Sequence, residues 1–259
     1  MILDEIAAMT KERIRLERQA VPLEKIRRRA EALPKAENDP FEAALREEGL
    51  SFICEVKKAS PSKGVIAEEF PYVEIAASYE AAGASAISVL TEPYYFQGDD
   101  RYLEEIVQAV KIPVLRKDFT VDPYMVYQAK ALGASAILLI CAILDDGELK
   151  EYAAIAKELG LSVLTEAHDE AEVERALKAG ARIVGVNNRD LKTFEVDVRN
   201  SVRLRSLVPS DVVFVSESGI RGPEDTKVLY ENGTDAVLIG ETLMRSPDKK
   251  KMLGRLKMR

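Results

Sequence analysis

The chain of 259 residues has no tryptophan, one histidine and two cysteines. Each shortage closes a possibility. Cys54 and Cys141 sit inside apolar runs without framework spacing, which excludes a disulfide scaffold and points to a reducing, cytoplasmic setting. With His168 alone beside those two thiols, a zinc site lacks ligands, and no metal is expected. No apolar run reaches membrane-spanning length, and Met1 to Glu5 carries acids where a secretory leader needs bases. A net charge of −7 argues against nonspecific nucleic-acid binding. The basic clusters at Lys25 to Arg29 and Lys249 to Lys251 read as solvated faces. No glycine-rich nucleotide fingerprint follows the first strand-like run, so an open dinucleotide-binding sheet loses its main support.

What is present is a rhythm. Residues 2 to 48 read as helices only, with Ile2, Leu3, Ile6 and Met9 as an apolar stripe and Asp39-Pro40 as a cap and first-turn proline. The period then changes. Strands are expected at Phe52–Lys57, Ala86–Thr91, Pro113–Lys117, Ala136–Cys141, Ser162–Glu166, Arg182–Asn187, Val212–Glu217 and Ala236–Gly240. The helices between them show caps at Asp99, Asp122, Asp169, Asp197 and Gly222, and stops at Gly83, Gly133, Gly160, Gly180 and Gly233. The phrase Gly-Ala-Ser-Ala-Ile closes one helix at Gly83 and another at Gly133, an internal echo of the same unit. Strands apolar throughout, alternating with helices in this length, predict a single (β/α)8 TIM barrel over residues 49–259 with a helical extension over 1–48.

In such a barrel chemistry belongs at the carboxyl ends of the strands. Those ends carry Glu55 and Lys57, Glu92, Lys117, Glu166, Asn187 with Arg189, Glu217 with Ser218, and Gly240. A buried lysine is costly unless paired or used, and several carboxylates facing lysines are hard to explain as packing. Ser216-Glu-Ser-Gly-Ile220 and Ile239-Gly-Glu-Thr242, beyond the seventh and eighth strands, offer backbone amides and a short helix start suited to a phosphate. A small phosphorylated substrate is therefore expected. Lys57, Lys58, Lys63, Arg116, Lys117 and Arg189 are the cations available to draw it in. The stretch Lys58 to Phe70 reads as a lid loop, and His168 as part of the helix start beside Asp169.

The motifs Glu55 to Gly64, Leu90-Thr-Glu92, Leu115 to Phe119, Leu164-Thr-Glu166, Val186 to Leu191, Val215 to Ile220 and Leu238 to Met244, in this order, resemble the indole-3-glycerol phosphate synthase family over essentially the whole chain. The resemblance implies cofactor-free ring closure of 1-(2-carboxyphenylamino)-1-deoxyribulose 5-phosphate with loss of carbon dioxide and water. It implies Lys117 as general acid, Glu166 as acid/base, and Glu55 with Lys57 as a second acid–base and binding pair. Asn187, Arg189, Glu217, Phe96 and Phe119 would hold the substrate. Ser60, Ser218, Gly219, Gly240 and the backbone of Glu241 would cradle its phosphate, with the Glu241 carboxylate turned away.

Only the resemblance chooses Glu166 over Glu92, since the two tripeptides are near duplicates. One rival is phosphoribosylanthranilate isomerase, which would put a cysteine and an aspartate at the working strand ends. Another is a redesigned barrel that binds phosphate without turnover. A monomer or weak homodimer, with no membrane or nucleic-acid partner, completes the expectation.

Overall fold

The computed structural model describes residues 2–36, 38–190 and 193–257, so Met1 and the motif end Leu191 lie outside it. The apolar runs form eight parallel strands: β1 (Ser51–Val56), β2 (Ala86–Leu90), β3 (Val114–Lys117), β4 (Ala136–Ile140), β5 (Ser162–Ala167), β6 (Ile183–Asn187), β7 (Val213–Glu217) and β8 (Ala236–Ile239). Each pairs with its sequence neighbours, and β8 returns to β1 to close the barrel. The register sets the working ends side by side, Leu90 beside Lys117, Ile140 beside Glu166, and Asn187 beside Glu217.

Three helices precede the barrel, α1 (Ile2–Ala20), α2 (Leu23–Glu31) and α3 (Pro40–Leu45). Around it follow α4 (Tyr72–Ala81), α5 (Asp100–Ala109), α6 (Pro123–Ala131), α7 (Asp146–Glu158), α8 (Glu170–Lys178), α9 (Arg199–Leu204), α10 (Pro223–Glu231), the short α11 (Glu241–Met244) and α12 (Lys249–Leu256). Asp99, Asp122 and Asp169 cap their helices by accepting from the amides of Arg101, Tyr124 and Glu172 at 2.8, 2.8 and 2.9 Å. α7 opens on a full capping box of Asp145 and Glu148. Asp39 departs from expectation. Its backbone is left-handed (φ 41°) and its side chain caps nothing, because a cap needs an extended backbone to aim its oxygen at the first-turn amides.

Two apolar shells hold the barrel. Inside it, Ile53, Leu115, Leu138, Leu164, Val215 and Leu238 meet across the centre, and Phe41 and Leu45 of α3, both fully buried, pack with the strand starts Ala86 and Ala236. Outside, strand residues such as Phe52, Val89, Leu139 and Phe214 pack under the helices. Cys54 and Cys141 belong to this outer shell, unpaired, and burial pushes both thiols up to about 12, where they act as small apolar groups. Among the described residues no helix is long and apolar enough to cross a membrane.

α1 has a second duty. Ile2, Leu3 and Ile6 line the cavity at the barrel mouth, while Arg13 reaches Asp118, next to Lys117, at 2.8 Å. Tyr95 ties down the first turns by donating to Glu5 at 2.6 Å.

Candidate active site

A cavity of about 780 Å³ opens among the carboxyl ends of the strands. Strand alternation decides what enters it. Lys117 and Glu166 point inward at the ends of β3 and β5, whereas Arg116, one residue earlier, points outward and is bound to Asp100 at 2.8 Å, to Thr91 at 3.1 Å and to the Met125 carbonyl at 3.1 Å. Arg116 therefore drops out of the expected field of cations, and so does Lys58, which does not line the cavity. Arg221 and Arg245 line it instead, with Lys63. Neither arginine stands at a strand end, so no local pattern singles them out.

Lys117 is the centre of the charges. Its ammonium lies 3.3 Å from Glu166 Oε2 and 3.4 Å from Glu217 Oε2. Burial opposes its charge, but Glu166, Glu217 and Glu55 more than compensate and raise its pKa, so the folded site holds an ammonium. The carboxylates divide. Burial would raise Glu166, yet Lys117, His168 and the amide of Asn187 (Nδ2 to Oε1, 3.3 Å) hold it below the ordinary carboxylate range. Glu217 is pushed up to about 7, first by burial and then by the charges of Glu166 and Glu55, against the pull of Lys117. Its Oε1 is buried without a partner. One ammonium between two buried carboxylates compensates one of them better, and the geometry favours Glu166, which has the amide and the ring as further partners.

Across the mouth, Lys57 and Glu55 form a separate pair at 2.6 Å. Gly240 makes room for it, because a Cβ there would collide with the Glu55 carboxylate and come within 2.9 Å of Lys57 Nζ. Gly185 does the same for Glu217. Both glycines are gaps that charged side chains fill.

The end of the cavity expected to take the phosphate is built from backbone. Ser218 and Gly219 are both left-handed, at φ 68° and 83°, and α11 begins directly after β8. A left-handed serine stores about 1 kcal/mol or more of strain, a cost met where the backbone must present itself to a ligand. Asn188 braces the turn by donating to the Ser218 carbonyl at 3.1 Å and to Ser216 at 3.0 Å. The Glu241 carboxylate is bound by Arg245 at 3.0 Å and lies 3.9 Å from Lys63. Ser60 reaches the cavity from a two-stranded hairpin, Ala59–Ser60 against Gly64–Val65, within the stretch expected as a plain lid loop.

Phe96 and Phe119 supply the apolar wall, their ring centroids 6.2 Å apart. Arg189 is half-buried on the opposite side, its pKa lowered by burial, and it donates to the Phe194 carbonyl at 3.3 Å. The structure thus brings every expected site residue into one cavity, with Glu92 absent from its lining. The carboxylate of Glu92 is fully buried and accepts from the amides of Tyr94, Tyr95 and Phe96 at 2.9, 2.7 and 3.0 Å. Among the described residues no group of three His, Cys, Asp or Glu is placed to hold a metal ion.

Comparison with known proteins follows the same lines. The sequence profile described as indole-3-glycerol phosphate synthase matches residues 3–256. A protein of that name from Ruminiclostridium cellulolyticum is 58% identical over 257 residues, covering 99% of each chain. One from Endomicrobium trichonymphae is 53% identical over 99% of this chain and 100% of its own. Among solved structures, 3-hexulose-6-phosphate synthase from Salmonella typhimurium aligns with a TM-score of 0.67 at 14% identity, over 81% of this chain and 97% of that one, a likeness of fold.

Proposed function

The chain belongs to the indole-3-glycerol phosphate synthase family, and from that premise we propose how its residues divide the work. The enzyme is a carboxy-lyase of tryptophan biosynthesis acting on a phosphorylated small molecule. It closes the pyrrole ring of 1-(2-carboxyphenylamino)-1-deoxyribulose 5-phosphate, releasing carbon dioxide and water. One observation carries the assignment of roles: an ammonium, Lys117, suspended between two buried carboxylates at 3.3 and 3.4 Å, within the cavity that Ser218, Gly219 and Gly240 also line.

With the phosphate on the amides around Ser218, Gly219, Gly240 and Glu241, the sugar carbonyl faces Lys117 and the aryl ring rests on Phe96 and Phe119. Lys117 gives its proton to the carbonyl oxygen as the ring carbon attacks, so the new alcohol forms without a free alkoxide. The aryl carboxylate, held until then by Arg189 and Lys57, leaves as carbon dioxide and returns its electron pair to the ring. The hydroxyl then departs as water, taking a second proton, while a carboxylate removes a proton from the ring. Glu166 fits this acid/base part because both its oxygens meet donors inside the cavity wall. The Glu55–Lys57 pair supplies a second acid and base across the mouth.

The test follows indole fluorescence on addition of substrate, which no tryptophan of the chain masks. Lys117→Ala is expected to reduce kcat by about 10³-fold or more. Near-full rate in that variant would sink the assignment.

A further inference from the structure

The reaction consumes a proton. Its substrate carries a carboxylate that leaves as neutral carbon dioxide, and its hydroxyl leaves as water, so two protons are delivered for each one removed. A seated substrate covers the cavity, and the site must hold the difference in store. His168, which the mechanism above does not use, stands behind Glu166. Its Nε2 is a buried nitrogen that makes no hydrogen bond and faces Glu166 Oε1 at an ion-pair distance of 3.4 Å, the other oxygen of that carboxylate from the one nearest Lys117.

The ring is fixed from outside. Glu172 Oε2 meets His168 Nδ1 at 3.0 Å and accepts from the His168 backbone amide at 2.8 Å. Asn200 of α9 donates to the His168 carbonyl at 3.0 Å. The imidazole thus sits between an inner and an outer carboxylate, its side chain 14% exposed.

We propose that His168, as an imidazolium, stores the proton that each turnover consumes and passes it to the reaction through Glu166. This rests on the acid/base role given to Glu166 above. In the step, the Nε2–H bond of His168 breaks as an O–H bond forms on Glu166 Oε1. The protonated carboxyl of Glu166 then turns about its Cγ–Cδ bond and gives that proton to Lys117, which stands 3.3 Å from the other oxygen in the resting site, after the ammonium has been spent on the carbonyl oxygen. Glu172 keeps the Nδ1 proton in place throughout, so one nitrogen gives and receives. After product leaves, hydronium or a buffer acid returns the proton through the open cavity by the same two atoms in reverse.

The surroundings suit the storage of charge. Burial opposes it, but the hydrogen bond to Glu172 and the charges of Glu166, Glu172 and Glu217 outweigh burial and raise the histidine above its ordinary pKa. Lys117, beyond Glu166, and Arg175, beside Glu172, are the opposing cations.

Because the chain has one histidine, its titration gives a single imidazole resonance. The wild-type single-turnover rate is expected to fall as pH rises through the pKa that resonance reports. His168→Gln should lower the rate at least about tenfold below that pH, less than a group in contact with substrate would, with KM unchanged and the limb gone. Glu172→Gln keeps the ring but removes the outer charge, so both the resonance and the limb should move to lower pH together. It carries the test alone if the histidine variant does not fold. A limb at the wild-type pH in either variant, or a rate lowered equally at every pH, overturns the proposal. Turnover by the wild type and its loss in Lys117→Ala remain separate results, so the family activity and the proton store fail independently.

Discussion

Two strand ends of this barrel carry the same three residues and put them to opposite uses. Leu90-Thr-Glu92 and Leu164-Thr-Glu166 both end in a buried glutamate. Glu166 is still within β5, so alternation commits its side chain to the barrel interior, where it meets Lys117, Asn187 and His168. Glu92 lies two residues past the end of β2 and is followed by Pro93, which cannot donate to a strand ladder. The chain turns there, and the amides of the next three non-proline residues close on the carboxylate. One glutamate turns its charge to the cavity. The other spends it on the backbone.

The comparison breaks most sharply at Glu166. Glu166→Gln is expected to lose about 10²–10⁴ in kcat while its melting temperature stays close to wild type, because an amide still fills the space. The reverse result for Glu92 would sharpen it. Glu92→Gln places an amide nitrogen against at least one of the three backbone donors, so stability should drop by about 1–3 kcal/mol with kcat changed less than about threefold. Thermal melts and steady-state rates on the same preparations check both. If Glu92→Gln loses activity without stability, the two ends are not divided as described.

Glu217 offers the smallest and most graded test, since it has the burial of Glu92 without its backbone donors. Its pKa is raised from the ordinary 4.5 to about 7, so its protonated form favours the folded chain below about pH 4.5 and that contribution is lost as pH rises through 7. Glu217→Gln has no proton to lose. The melting temperature of the wild type should therefore fall relative to that variant between pH 4.5 and 7. A constant difference across that range would show that Glu217 is not destabilised by charge.

Much of this was legible in the sequence. Strands apolar throughout, glycine stops and aspartate caps give the barrel, because parallel strands buried on both faces leave no polar side to confuse the period. The left-handed turn and the short helix after the last two strands were legible as well, since glycine and serine have few other reasons to cluster there. Partners across space were less so. Alternation alone would have turned Arg116 away from the site, as its neighbour Lys117 faces in. The use of Glu92 needed the turn after Pro93, and the contact of His168 with Glu166 needed the α8 carboxylate that orients the ring. No local pattern of residues announces Arg13 beneath Asp118, a contact spanning more than a hundred positions.

That last contact changes how α1 should be regarded. A helix that contributes Ile2, Leu3 and Ile6 to the cavity wall and Arg13 to the neighbour of Lys117 is coupled to the ligand by mass action. Whatever binds the cavity with α1 docked must pull the docking equilibrium toward closure, and whatever frays the helix must weaken binding by the same factor. Affinity and local unfolding of the first turns are then two readings of one equilibrium, although none of the groups proposed as catalytic lies on the helix.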